Sequence, residues 1–347
     1  MRNLRFKQNR NAAFVVVLIL GPLLFNSCGT DQKALLPKVS GSAGEILVVV
    51  NKNYWDSPLG DSVKQWFEDD FTSLPQSEPM FNLIQVPRSA FNNIFQTHRN
   101  ILDINIGSEF KEAALSLQRN KYSTPQYIYK VVAPNQKAAI QLLEEEADYL
   151  IDQFNRIERS RLIQSYKQTQ DQAIYNTLKE GHKVSLVVPA GYSLDVSEDD
   201  FAWLSLETPT TSQGIFLYHY PYQGETDFEL DKMLSRRNSF LKQHVPGPSA
   251  GSYMATEESL PPVTRAFMSD DKYFMEIRGL WRVENAFMGG PFVSLSTVDE
   301  TRNRVVTVEG FVYAPKADKR NLMRQVEAVV YSLQIMEEEM NNNQQKP

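Results

Sequence analysis

Apolar positions in this chain follow two rhythms, one suited to strands and one to helices. Short runs rich in β-branched and aromatic residues, such as Glu45-Ile46-Leu47-Val48-Val49-Val50 and Lys183-Val184-Ser185-Leu186-Val187-Val188-Pro189, have strand length. In four places a strand-like run ends in proline and a helical pattern follows. Leu83–Pro87 leads to 89–96, Tyr129–Pro134 to a long helix, Phe216–Pro221 to 227–243, and Phe311–Pro315 to 318–336. Proline lacks the amide donor a ladder needs, and its fixed φ suits the approach to a helix. The second and fourth units match best, Val-Val-Ala-Pro against Val-Tyr-Ala-Pro. They suggest two related halves, roughly 45–160 and 182–338. The alternative is that strand, proline and helix recur as cheap local grammar.

The longest helical pattern lies between the halves. No Gly or Pro interrupts 135–180, and Gly181 stands where a C-terminal cap would. Leu143, Ala147, Leu150, Phe154, Ile157, Leu162, Tyr166 and Ile174 recur near a 3.6 period. Unbroken, it would be roughly 69 Å long, so it bends or bridges; the polar stretch Gln168–Gln172 is the expected break. Further on, Met275, Ile277, Trp281 and Val283 alternate with Glu276, Arg278, Leu280 and Arg282, and 305–313 alternates likewise after a turn at 299–303. These are antiparallel, half-buried patterns. The fold class expected is α+β, two halves of mainly antiparallel sheet with packed helices, joined by a long helical segment.

The N-terminus has a different grammar. Arg2, Arg5, Lys7 and Arg10 precede the apolar run Ala12–Phe25, and Cys28, the single cysteine, follows before a polar stretch. A basic start, a short apolar run and small residues at the cut describe a secretory signal. The run is too short for a membrane span, which needs about 20 apolar residues. The lone cysteine makes Leu24-Phe25-Asn26-Ser27-Cys28 a loose lipobox, with Cys28 lipidated. The boundaries expected are a signal peptide over 1–27, a lipidated tether over 28–44, halves over 45–180 and 181–338, and a polar tail over 339–347.

Charge limits the partners. Cutting at Cys28 removes four of the 36 basic residues and no acid, leaving 32 against 42 and a net charge of −10. Such a body has no electrostatic reason to bind nucleic acid or to lie on anionic lipid. The membrane contact expected is through Cys28 alone, and one residue carrying several acyl chains suffices, since each buried CH₂ contributes about 0.8 kcal/mol.

Local motifs nominate no catalytic residue, metal or cofactor. His98, His182, His219 and His244 are scattered, with no paired spacing. The acidic runs at 68–70, 144–146 and 198–200 lack calcium-loop spacing. Neither a nucleophile elbow nor a phosphate loop occurs. One segment stands out, Arg278 to Ser294, where Gly289, Gly290 and Pro291 follow Arg278, Trp281 and Arg282. These six residues are the candidate ligand site: arginine forks for an anion, an aromatic for stacking, amides from a shaped loop. The plainer alternative is a tight hairpin with a core Trp and surface arginines.

The runs Arg-Gly-Leu-Trp, Phe-Met-Gly-Gly-Pro-Phe-Val-Ser and Val-Glu-Gly-Phe-Val-Tyr-Ala-Pro, within 278–315, resemble an uncharacterised lipoprotein family of Bacteroidetes bacteria. Gly44–Val50 with Tyr54-Trp55 is similar to that family's start. The resemblance implies a cell-envelope lipoprotein of unknown function and transfers no catalytic residue. In such bacteria acids directly after the cysteine mark surface export. Asp31 alone stands there, which implies an outer-membrane position facing the periplasm. The function expected is a binding or scaffolding module for an envelope protein or polymer. The alternative is a hydrolase acting on envelope glycan or peptide, its cleft near Gly289-Gly290.

Overall fold

The computed structural model describes residues 35–337. The signal peptide, Cys28, the first part of the tether (28–34) and the tail over 339–347 lie outside the described residues.

The first sheet comprises β1 (Glu45–Val49), β2 (Asn82–Val86), β3 (Asn100–Ile106), β4 (Ala114–Arg119) and β5 (Tyr127–Ala133), in the order β2-β1-β3-β5-β4. All pairings are parallel except that of the edge strand β4. The mainly antiparallel pattern expected of both halves therefore holds for the second only. Crossovers cause the difference. After β1 the chain forms α1 (Lys52–Trp55) and α2 (Pro58–Phe67) before returning as β2. Ser57 starts α2 by accepting the Leu59 amide, and Pro58 occupies the first turn, where its missing donor costs nothing. A short helix, α3 (Asn93–Gln96), lies between β2 and β3. Ile46, Val48 and Val50 pack against α2 and the next helix, whereas Leu47 and Val49 are buried on the opposite face. A strand covered on both faces reads as a continuous apolar run.

That next helix is α4 (Gln136–Gln168), capped by Asn135, which accepts the Ala138 amide. It is roughly 50 Å long at 1.5 Å per residue. The helix stops within the expected break. Asp171 then caps α5 (Gln172–Thr177), and a wide turn over 178–182 ends on Lys183 in the left-handed conformation, φ 56°. Lys183, two residues past Gly181, thus makes the left-handed stop.

The second sheet has eight strands and is antiparallel. A short pair, β6 (Val184–Ser185) with the C-terminal β15 (Gln334–Ile335), lies apart from it. Its strands are β7 (Ser193–Ser197), β8 (Phe201–Glu207), β9 (Ser212–Pro221), β10 (Met254–Thr256), β11 (Val263–Ser269), β12 (Lys272–Val283), β13 (Gly289–Asp299) and β14 (Arg304–Tyr313). The order is β10-β12-β13-β14-β9-β8-β7, with β11 also pairing β12. One face packs on α6 (Leu230–His244) through Phe216, Ile277, Trp281 and Phe292. The other packs on α7 (Arg320–Val330) through Leu217, Leu295, Val306 and Val308. The β12 alternation matches these two faces. Strand direction and order differ between the sheets, so the recurring strand–proline–helix units do not extend to a repeated topology. The fold is α+β.

Charged groups join the two sheets' layers. Glu78, from the loop before β2, accepts the backbone amides of Lys319 and Arg320 at 2.7 and 2.8 Å. Arg324 on α7 donates to the Met80 carbonyl at 2.8 Å and to Asn155 on α4 at 2.9 Å.

Candidate functional site

The β12–β13 hairpin carries the six residues singled out by sequence, and its geometry divides them. Val283 donates its amide to Met288, and Asn285 takes the left-handed conformation, φ 63°. The glycine pair is not a loop. Gly289 pairs with Arg282 and Gly290 with Trp281 inside the ladder, and Pro291 lies opposite Leu280. A Cβ on Gly290 would stand 2.1 Å from the Val312 carbonyl oxygen, so the close approach of β14 demands glycine there.

Trp281 is buried against Phe311, centroids 5.5 Å apart, and its indole Nε1 has no hydrogen-bond partner although it is enclosed. Arg282 is part exposed and pairs with Glu284 at 2.7 Å. Arg278 goes elsewhere. Its side chain lies on the α7 face, bonded to Glu276 at 3.0 Å and, more closely, to Glu327. Burial opposes its charge, but Glu327 and Glu276 outweigh that and hold its pKa well above the ordinary value. An anion cannot be offered a guanidinium already saturated by two carboxylates.

Trp281, Arg282, Gly289 and Gly290 line one open groove of ≈ 790 Å³; Arg278 and Pro291 do not line it. Phe287, at the hairpin tip, is wholly exposed and forms part of its rim. Pro75, from the first half, and Glu257 also line it. Phe287 had a legible signal, an Ala-Phe-Met tip where a turn is normally polar. Pro75 had none, because only the docking of the halves brings it there. Glu257 is held below the ordinary carboxylate range by the Ser259 amide and, more weakly, by Arg282.

The histidines are packed rather than clustered. His98 bonds Asn100, His244 stacks on Phe201 at 4.4 Å, and the rings of His182 and His219 meet edge to face at 5.6 Å. Among the described residues no three His, Cys, Asp or Glu groups are arranged to hold a metal, and no helix is long and apolar enough to cross a membrane.

Two family models match the chain, both domains of unknown function: DUF8532 over residues 39–167 and DUF4837 over 171–332. They meet where α4 ends. No curated protein matches. Among solved structures, the chain is similar to the Ran-binding protein Mog1p of Saccharomyces cerevisiae. Identity is 8% and the TM-score 0.31, covering 45% of this chain and 91% of that one. It is also similar to the lipid transfer and protein localization domain of human StarD13. There identity is 11% and the TM-score 0.22, covering 47% and 98%.

Proposed function

We propose that this chain is a lipid-anchored envelope protein that docks a partner protein in the groove beneath the β12–β13 hairpin. The observation that carries the reading is Phe287. A hairpin braced by buried Trp281 and by the close Gly290 contact holds an aromatic ring in full solvent beside an open groove. Aromatic anchors backed by rigid structure are what interface hot spots are made of. Arg282, paired with Glu284, and Glu257 supply polar groups of both signs in its lining. The anchoring half of the proposal rests on the signal-like start and the single cysteine, Cys28. The hydrolytic alternative gains less from the groove, since the hydrogen bonds from Ser259 keep Glu257 ionised and so a poor proton donor.

The test is crosslinking and mass spectrometry of the anchored protein in its own cells, wild type against Phe287→Ala. A specific partner recovered with wild type and lost in the variant is expected. The same bystanders as an unrelated lipoprotein, in both, would overturn docking. In parallel, Cys28→Ser should move the protein out of the membrane fraction, and retention there refutes the anchor.

A further inference from the structure

At the opposite end of the β12–β13 pair, roughly 30 Å from the groove at 3.3 Å per strand residue, lies a second hollow of ≈ 670 Å³. Three aromatic side chains line it: Tyr222 just past β9, Phe228 in the turn Glu225–Phe228 before α6, and Tyr273 near the start of β12. Glu225 from that same turn, Glu300 from the turn into β14 and Lys272 also line it. We propose that this hollow binds an organic ammonium ion, independently of whether the hairpin groove docks a protein.

The rings carry the inference. Phe228 stands at 82° to Tyr273, centroids 5.1 Å apart, and at 58° to Tyr222 at 6.4 Å. Rings inclined this steeply meet as walls and not as a stack. Tyr222 and Phe228 are half-buried and Tyr273 is 39% exposed, so all three keep surface in solvent. An aromatic face carries partial negative charge and attracts a cation within about 6 Å of its centroid. Elsewhere the chain covers such faces with its own cations, Arg159 over Tyr331 and Lys242 over Tyr253. Among the described residues no cation lies over Tyr222, Phe228 or Tyr273.

The charges agree with the rings. Neither Glu225 nor Glu300 has a side-chain partner among the described residues, and Lys272 pairs with neither. The lining thus holds two open carboxylates against one ammonium. The walls are also fixed in advance. Buried Asp227 accepts the Gln223 amide at 2.6 Å and closes the loop that carries Glu225 and Phe228. Tyr222 donates its amide to the Asn303 carbonyl at 3.0 Å, and the Thr297 hydroxyl donates to the Tyr273 carbonyl at 2.8 Å. Walls held this way lose little freedom when a ligand arrives. Packing alone does not require three wet rings around one space with unpaired acids beside them.

The experiment is a titration of the full chain in neutral detergent with tetramethylammonium chloride at constant ionic strength, following ¹³C-labelled tyrosine by NMR. The expected result is saturable movement of the Tyr222 and Tyr273 signals. Tert-butanol, of similar bulk but uncharged, should bind at least about tenfold more weakly. Tyr273→Leu should weaken tetramethylammonium binding by at least about fivefold, and Tyr149→Leu, an exposed ring on α4, should not. Glu300→Gln, an exposed change that leaves packing untouched, should also weaken it. A second arm adds dihexanoylphosphatidylcholine. Binding tighter than that of tetramethylammonium assigns a choline headgroup, and equal or weaker binding assigns a soluble cation. No saturation by tetramethylammonium, equal binding of tert-butanol, or unchanged affinity in Tyr273→Leu or Glu300→Gln overturns the proposal. Saturation by N-acetylglucosamine with none by tetramethylammonium would assign the rings to sugar stacking and overturn it too.

Discussion

Arg236 and Arg237 are neighbours on α6 and cannot be told apart by their own chemistry, yet the fold treats them oppositely. Arg236 is exposed, whereas Arg237 is 1% exposed and meets Glu309, which is 0% exposed, through two bonds of 2.7 and 2.6 Å. Its third nitrogen donates to Thr256 at 2.9 Å, and its plane covers Phe292 at 3.9 Å. Breaking a buried pair strands a charge, which costs about 3–5 kcal/mol, whereas replacing both members with apolar groups is often neutral. Urea unfolding should therefore show a large loss for Arg237→Met that Glu309→Leu largely recovers in the double variant. Additive losses would mean that the pair is not the unit of stability. Helical spacing places Arg237 on the Met233 and Leu241 side of α6, so its burial was legible. Its partner was not, because Glu309 is 72 positions away.

The elements show the same division. Strand faces, the Asp299–Asn303 turn and the α4 break follow from period and turn chemistry, and each is legible. The parallel pairing of β1 was not read from the strand runs, since direction depends on what connects them. Ser57-Pro58, the start of α2, was the available signal for a crossover. Element α7 is capped from afar. Lys319 gives no side-chain cap, and Glu78 takes the amides of Lys319 and Arg320 instead. A carboxylate at a helix N-terminus also favours the dipole. Glu78→Ala should cost about 1–2 kcal/mol and raise amide exchange in the first turn of α7 and in the 72–79 loop together. Exchange rising in α7 alone would show that the cap does not couple the halves.

Across the whole molecule the halves are pinned by charge around Glu327 on α7. Arg278 from β12 and Arg159 from α4 both bond it, and Arg159 also lies 3.6 Å over the Tyr331 ring. Burial alone would raise the Glu327 pKa, but Arg278 and Arg159 bring it from 4.5 down to about 2. A carboxyl that titrates lower folded than unfolded contributes in full above the unfolded value and loses that contribution as pH falls toward the folded one. The loss should therefore fall between about pH 4.5 and 2, with a size on the order of 3 kcal/mol. Glu327→Gln should lower stability at pH 7 and flatten the acid limb of the urea midpoint over that window. An unchanged acid limb would place the linkage elsewhere. By itself the sequence determined the α+β class, the strand faces, the helix break and the hairpin that forms the groove. These depend on residues a few positions apart, where backbone geometry alone sets what is near. Only the tertiary structure decided that Arg278 is consumed, that Arg236 is left open and that Pro75 walls the groove. Each depends on which groups arrive from elsewhere in the chain: Arg278 and Glu327 are 49 positions apart, and Glu78 and Arg320 242. Ion pairing and docking carry no local signature, because a charge reads the same in sequence whether its partner is a carboxylate, a ligand or water.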